Sequence, residues 1–153
     1  MNQLKFKQLA VSIGIISISL VSGGCRPTTR EIAEVVSTIP IGASRDELRK
    51  VLMDAYSKKF PKEKDTYALI GPPQQVTQKW IQIDKNLLTV ATKQGSYAVV
   101  HPADLFNKMA VGSLCDTVGL GVEASHGNGF LSIYYDNKTN YIGFFATSTA
   151  KRK

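Results

Sequence analysis

Three consecutive stretches decide the fold: Phe130-Leu131-Ser132-Ile133-Tyr134-Tyr135, then Asp136-Asn137-Lys138-Thr139, then Asn140-Tyr141-Ile142-Gly143-Phe144-Phe145-Ala146-Thr147. Two runs rich in aromatic and branched residues around a short polar break predict an antiparallel hairpin. Strand side chains alternate faces, so Leu131, Ile133 and Tyr135 share one face, and Ile142, Phe144 and Ala146 can join them. The other face then carries Phe130, Tyr134, Tyr141 and Phe145. If the sheet is packed on one side only, these four rings form an exposed stripe and a candidate interaction surface. If helices cover that face too, both sides are core. A one-residue slip in register would reverse the assignment.

Upstream of the hairpin the chain reads as further strands. Leu120 to Ser125 is one, and His126-Gly127-Asn128-Gly129 turns it into the hairpin, with glycines where positive φ is wanted. Earlier, Val76 to Ile83, Leu87 to Thr92 and Ser96 to Val100 are separated by Asp84-Lys85-Asn86 and Lys93-Gln94-Gly95. That pattern predicts an antiparallel meander. Pro102 opens a short helix from Ala103 to Val111, closed by Gly112.

Two helices precede the strands. Thr28 and Glu31 are spaced as a capping box, and Ile32, Val35, Val36 and Ile39 follow on one helical face until Pro40 stops it. Ser44 and Glu47 repeat the device, with Leu48, Val51, Leu52, Ala55 and Tyr56 as the buried stripe. Asp46 and Glu47 near its start, and Lys58 and Lys59 at its end, suit the helix dipole. The run from Lys58 to Asp65 reads as a solvated charged loop, and Gly71-Pro72-Pro73 as a rigid turn. The expected class is α+β: two N-terminal helices packed on an antiparallel sheet, with a short third helix between strand groups.

The N-terminus reads as an address. Lys5 and Lys7 precede an uncharged stretch whose apolar part, Leu9 to Val21, is too short to span a bilayer comfortably. Small residues, Ser22-Gly23-Gly24, lead to Cys25. A basic start, a short apolar middle and a small-residue end describe a secretory signal. Val21-Ser22-Gly23-Gly24-Cys25 resembles a bacterial lipoprotein signal, in which the cysteine is lipidated and becomes the first residue. Gly24 fits that pattern, whereas Ser22 stands where leucine is usual. Plain export with cleavage near Gly24, or an uncleaved anchor helix, are the alternatives.

The expected boundaries are therefore 1–24 as signal peptide, 25–29 as lipidated cysteine and short tether, 30–148 as a single α+β domain, and 149–153 as a basic tail. Removing 24 residues from 153 leaves 129, enough for one core. The removed segment takes two of the 19 basic residues and none of the 12 acids, so the net charge falls from +7 to +5. Each buried acyl methylene adds about 0.8 kcal/mol to anchoring, so several chains hold the protein firmly on the membrane. Arg26 stands where an inner-membrane retention signal would place Asp, which favours the outer membrane.

Little in the sequence marks chemistry. Gly119-Leu120-Gly121 lacks the third glycine of a dinucleotide loop, and no helix signal follows it. No metal-ligand spacing, cofactor motif or Gly-x-Ser-x-Gly is present. Cys115 reads as a buried thiol acting as a small apolar residue. A disulfide between Cys25 and Cys115 would need Cys25 unmodified. A nucleophilic Cys115 would need His101 or His126 beside it, and these read as helix-start and turn residues.

Ile41-Gly42-Ala43-Ser44-Arg45-Asp46-Glu47-Leu48, followed by Leu52, resembles the helix opening of the SmpA/OmlA (BamE-like) small outer-membrane lipoproteins. Leu131 to Asp136 with Tyr141-Ile142 resembles that family's closing hairpin. The resemblance implies two helices, a sheet and a role beside other envelope proteins. The Gly-Pro turn at Gly71-Pro72 comes later than in that family, and strands and a third helix are added. The expected function is a membrane-tethered, non-enzymatic envelope lipoprotein that binds another envelope protein or an anionic surface component, with no nucleic acid, metal or cofactor. A small periplasmic hydrolase using Cys115 or a histidine, and an inhibitor or immunity-type lipoprotein, are the alternatives.

Overall fold

The computed structural model describes residues 28–59, 72–123 and 127–151. The signal and cysteine segment, most of the charged loop after Lys58, and His126 lie outside the described residues. The chain runs α1 (Thr29–Ser37), α2 (Arg45–Lys59), β1 (Gln74–Gln75), α3 (Gln78–Lys93), β2 (Ser96–His101), α4 (Leu105–Lys108), β3 (Leu114–Glu123), β4 (Gly127–Tyr135) and β5 (Tyr141–Lys151). The class is α+β. All five strands form one antiparallel sheet, in the order β1-β3-β4-β5-β2.

Both capping boxes close. The Glu31 amide donates to Thr28 Oγ1 at 3.2 Å, and the Thr28 amide donates to Glu31 Oε2 at 2.8 Å. The Ser44 amide donates to Glu47 Oε2 at 2.7 Å, and the Glu47 amide donates to Ser44 Oγ at 3.2 Å. Each box satisfies amides that the first helical turn leaves without partners. The short connector between the helices is tied to the sheet. Gly42 N–H donates to the Tyr141 carbonyl at 2.8 Å, and Tyr141 N–H donates to that of Ala43 at 2.7 Å.

The first sheet face is a continuous core. Ile32, Val36, Ile39, Leu48 and Leu52 pack against Leu131, Ile133, Tyr135, Tyr141, Phe144 and Ala146. Fully burying a side chain of this kind stabilises by roughly 1.5–3 kcal/mol. α1 lies on the sheet, whereas α2 packs chiefly on α1 and reaches β3 through an ion pair.

The second face is not open. The expected strands Val76–Ile83 and Leu87–Thr92 are replaced by one helix, the 16-residue α3. Thr77 caps it, accepting from the Trp80 amide at 3.2 Å. Ile81 and Ala91 are buried at helical spacing, and α3 covers β2 and β5. The expected exposed stripe is corrected accordingly: Tyr134 and Phe145 are fully buried with Val76, Ile81, Leu105 and Cys115, and Phe130 is partly buried against them.

Tyr141 is also buried, but on the first face. The reason is a bulge. Tyr134 pairs with Gly143 and Tyr135 with Tyr141, so Ile142 is the extra residue and the alternation shifts there. Ile142 accordingly packs on the second face instead of the first. Gly143 is needed at this point. Its φ is +149°, and a Cβ there would lie 2.3 Å from the His101 carbonyl oxygen and 2.8 Å from Leu105 Cδ1.

Residues 127–129, expected in a hairpin turn with glycines at positive φ, instead open β4, and Gly129 has no positive φ; three further boundaries differ from expectation. α4 spans four residues rather than Ala103–Val111, β3 begins at Leu114, and β5 continues through Lys151 into the segment expected as tail. Among the described residues no helix is long and apolar enough to cross a membrane.

Candidate functional site

α3 carries two apolar stripes side by side. One, Ile81, Leu88 and Ala91, faces the sheet. The other, Trp80, Ile83, Leu87 and Val90, repeats at helical spacing along the flank. Ile83, Leu87 and Val90 are 47%, 37% and 48% exposed. Between this flank and strands β3 and β4 lies a groove of about 390 Å³. Its helix wall is Trp80, Ile83 and Leu87; its sheet wall is Thr117, Phe130 and Ser132. Thr117 and Ser132 are direct cross-strand partners, so the floor of the groove is the sheet itself. Phe130 is held edge-on against the buried Phe145, their centroids 5.5 Å apart.

Asp84 lines the same groove and is only 2% exposed. It occupies the position in the sheet-facing stripe, between Ile81 and Leu88, where an apolar residue is expected. The Tyr134 hydroxyl donates a hydrogen bond to its Oδ2. Burial raises the Asp84 carboxyl above its ordinary range, partly opposed by hydrogen bonds from Tyr134 and Trp80. The Tyr134 phenol is pushed well upward, first by burial and then by the Asp84 charge. No Lys or Arg of the described residues is ion-paired with Asp84, and Lys79, at the exposed rim, is not an exception.

Cys115 is buried beside this cluster. Burial pushes its thiol up to about 12, and the Asp84 charge adds to the effect. A thiol so placed is not a nucleophile at neutral pH, because the thiolate is the reactive form. His101 cannot serve it. His101 stacks on Phe144, on the first face, and β4, β5 and a change of face separate its strand from that of Cys115. At about 4.8 Å per strand, β2 and β3 lie roughly 14 Å apart. Among the described residues no cluster of His, Cys, Asp and Glu is arranged to hold a metal.

Among the described residues the structure therefore gathers neither the expected aromatic stripe nor a pair of Cys115 with His101. It gathers Trp80, Asp84, Phe130 and Tyr134, two of which were singled out from the sequence for a different reason. The signal that would have found the rest was Thr77, with Ile81, Asp84, Leu88 and Ala91 spaced three and four apart behind it. Comparison with protein-family models, with curated proteins and with solved structures returns no match.

Proposed function

We propose that this protein is a lipid-anchored bacterial envelope lipoprotein whose domain is a non-enzymatic binding module, and that the groove beside α3 is its recognition surface. The observation that carries the binding role is the flank of α3: three large apolar residues stand exposed on a helix whose neighbouring stripe packs on the core. Exposed apolar surface next to a concave, aromatic-walled groove is where soluble domains meet partners. The burial of Cys115, and its position away from His101, speak against a hydrolase built on that pair.

The anchor reading rests on the sequence from Lys5 to Cys25. The SmpA/OmlA resemblance rests on Ile41 to Leu48 with Leu52 and on the closing hairpin. With Arg26 after the cysteine, the outer membrane is the expected destination. The short tether holds the domain close to the membrane, since three residues from Cys25 to Thr28 reach at most about 10 Å.

Two experiments test the two halves separately. Replacing Cys25 with Ala should move the protein from membrane to soluble fractions and abolish labelling by palmitate; a variant that stays membrane-bound would point to an uncleaved anchor. A photo-crosslinker placed at Leu87 should give a discrete adduct in intact cells that the same probe at Lys50, on α2, does not. Equal adducts from both positions, or none from Leu87, would remove the groove as the recognition surface.

A further inference from the structure

Among the described residues two aspartates are buried, and one of them, Asp116, has a counter-ion. Asp116 receives Arg45 Nε at 2.7 Å and Nη2 at 3.0 Å. Asp84, at least as buried, has hydrogen bonds from neutral groups alone among the described residues. A buried carboxylate is costly unless it is paired. Asp84 lines the groove, whose walls also include Trp80 and Phe130. Aromatic faces attract cations, and an ionised carboxylate beside them sharpens that preference.

We infer that the groove receives a cationic side chain, lysine or arginine, from an apolar segment of a partner protein, the cation seating between Trp80 and Phe130 beside Asp84. The segment's apolar residues lie along Ile83, Leu87 and Val90. From Ile83 to Val90 the helix rises by about 10 Å, longer than a small amine and matched by two turns of helix or three residues of strand. Charge complementarity fixes the cation, and the continuity of the stripe with the groove fixes the segment as its carrier. Thr117 and Ser132 on the sheet wall offer acceptors for the remaining N–H groups. Lys79 stays solvated at the rim and sets the direction from which a second positive charge is disfavoured.

The inference rests on the groove being the recognition surface and is independent of the anchor. Trp80 is the only tryptophan in the chain, so its fluorescence reports the groove directly. The purified protein is titrated with a blocked heptapeptide of leucine and serine carrying one central lysine, with the same peptide acetylated on the lysine Nε, and with n-butylammonium. The lysine peptide should bind at least tenfold more tightly than the acetylated one and than n-butylammonium, and Asp84→Asn should erase the first preference. Phe130→Leu should reduce it severalfold, which keeps the test open if Asp84→Asn folds poorly. Equal binding of the two peptides, or a preference unchanged by both substitutions, overturns the inference. Saturation by n-butylammonium at the peptide's own concentration range would assign the site to free amines and overturn the protein segment. Failure of the titration together with a specific crosslink at Leu87 would reject the cation while leaving the groove in place.

Discussion

On the α1–α2 face of the sheet Asp116 is 7% exposed, and Arg45 closes on it with two hydrogen bonds. On the α3 face Asp84 is 2% exposed, meets only Tyr134 and Trp80, and lines the groove. The first arrangement is finished within the chain. The guanidinium gains as well, its pKa raised chiefly by the hydrogen bond to Asp116. The second arrangement has a buried acid, aromatic walls and, among the described residues, no cation paired with that acid. The difference separates a polar group that fixes the fold from one placed at cost to stability, and such costs concentrate at functional sites.

The comparison first requires that both faces be true core. Phe144→Ala on one face and Phe145→Ala on the other should each cost about 3–5 kcal/mol. Denaturant unfolding of the two variants measures this. A small loss for Phe145→Ala alone would mean that α3 does not cover its face, and the two-faced reading would fail.

The next effect distinguishes the acids. Arg45→Met leaves Asp116 buried and unpaired, with an expected loss of about 3 kcal/mol. Arg45→Met together with Asp116→Leu should recover most of that loss, because an apolar pair of similar volume replaces a desolvated ion pair. If the double variant is no more stable than the single one, the ion pair does more than neutralise Asp116.

How far the sequence could be read divides along the same line. The capping boxes at Thr28 and Ser44, the closing hairpin and the α+β class were legible, since each rests on local spacing. α3 was not. Its β-branched residues Ile81, Ile83, Thr89, Val90 and Thr92 resemble strand, and Asp84-Lys85-Asn86 resembles a turn. What hid the helix was Asp84 itself, a carboxylate standing where the buried stripe expects an apolar residue. The groove was missed for the same reason, because it depends on α3 lying beside Phe130. Tyr141 was placed on the wrong face because the bulge at Ile142 and Gly143 depends on α4 and His101, remote contacts that no local pattern carries.

A third measurement sharpens the contrast between the tyrosines. Tyr134→Phe removes a hydrogen bond to a buried acid and should cost about 1.5–3 kcal/mol. Tyr141→Phe should cost almost nothing, as that hydroxyl has no hydrogen-bond partner among the described residues. The pH dependence follows from Asp84. Its folded pKa is raised, so between the unfolded and folded values the native state holds a proton that the unfolded state releases. Its contribution to stability is therefore present below the ordinary aspartate value of about 3.9 and is lost as pH rises through the folded value. Asp136 and Asn140 work in the opposite sense: hydrogen bonds from Asn140 lower the Asp136 pKa, and that contribution is lost as pH falls. Asp84→Asn should remove the mild-acid decline and leave the low-pH loss. Unchanged curves for wild type and variant would show that Asp84 does not titrate differently on folding.

The smallest stability effect is expected where the functional effect is largest. Ile83 and Val90 project from α3 into solvent, so lysine at either position removes no core contact. Lysine is also a better helix former than a β-branched residue, by a few tenths of a kcal/mol. Ile83→Lys and Val90→Lys should therefore change stability by no more than about 0.5 kcal/mol, with a slight gain as the expected sign. Partner binding should nevertheless fall steeply, because each substitution sets a hydrated charge on the apolar stripe and repels the cation seated beside Asp84. Thermal unfolding and binding measured on the same preparations give both readings. A loss of several kcal/mol would show the stripe to be buried in the folded monomer. Intact binding in a stable variant would show that the partner does not lie along α3.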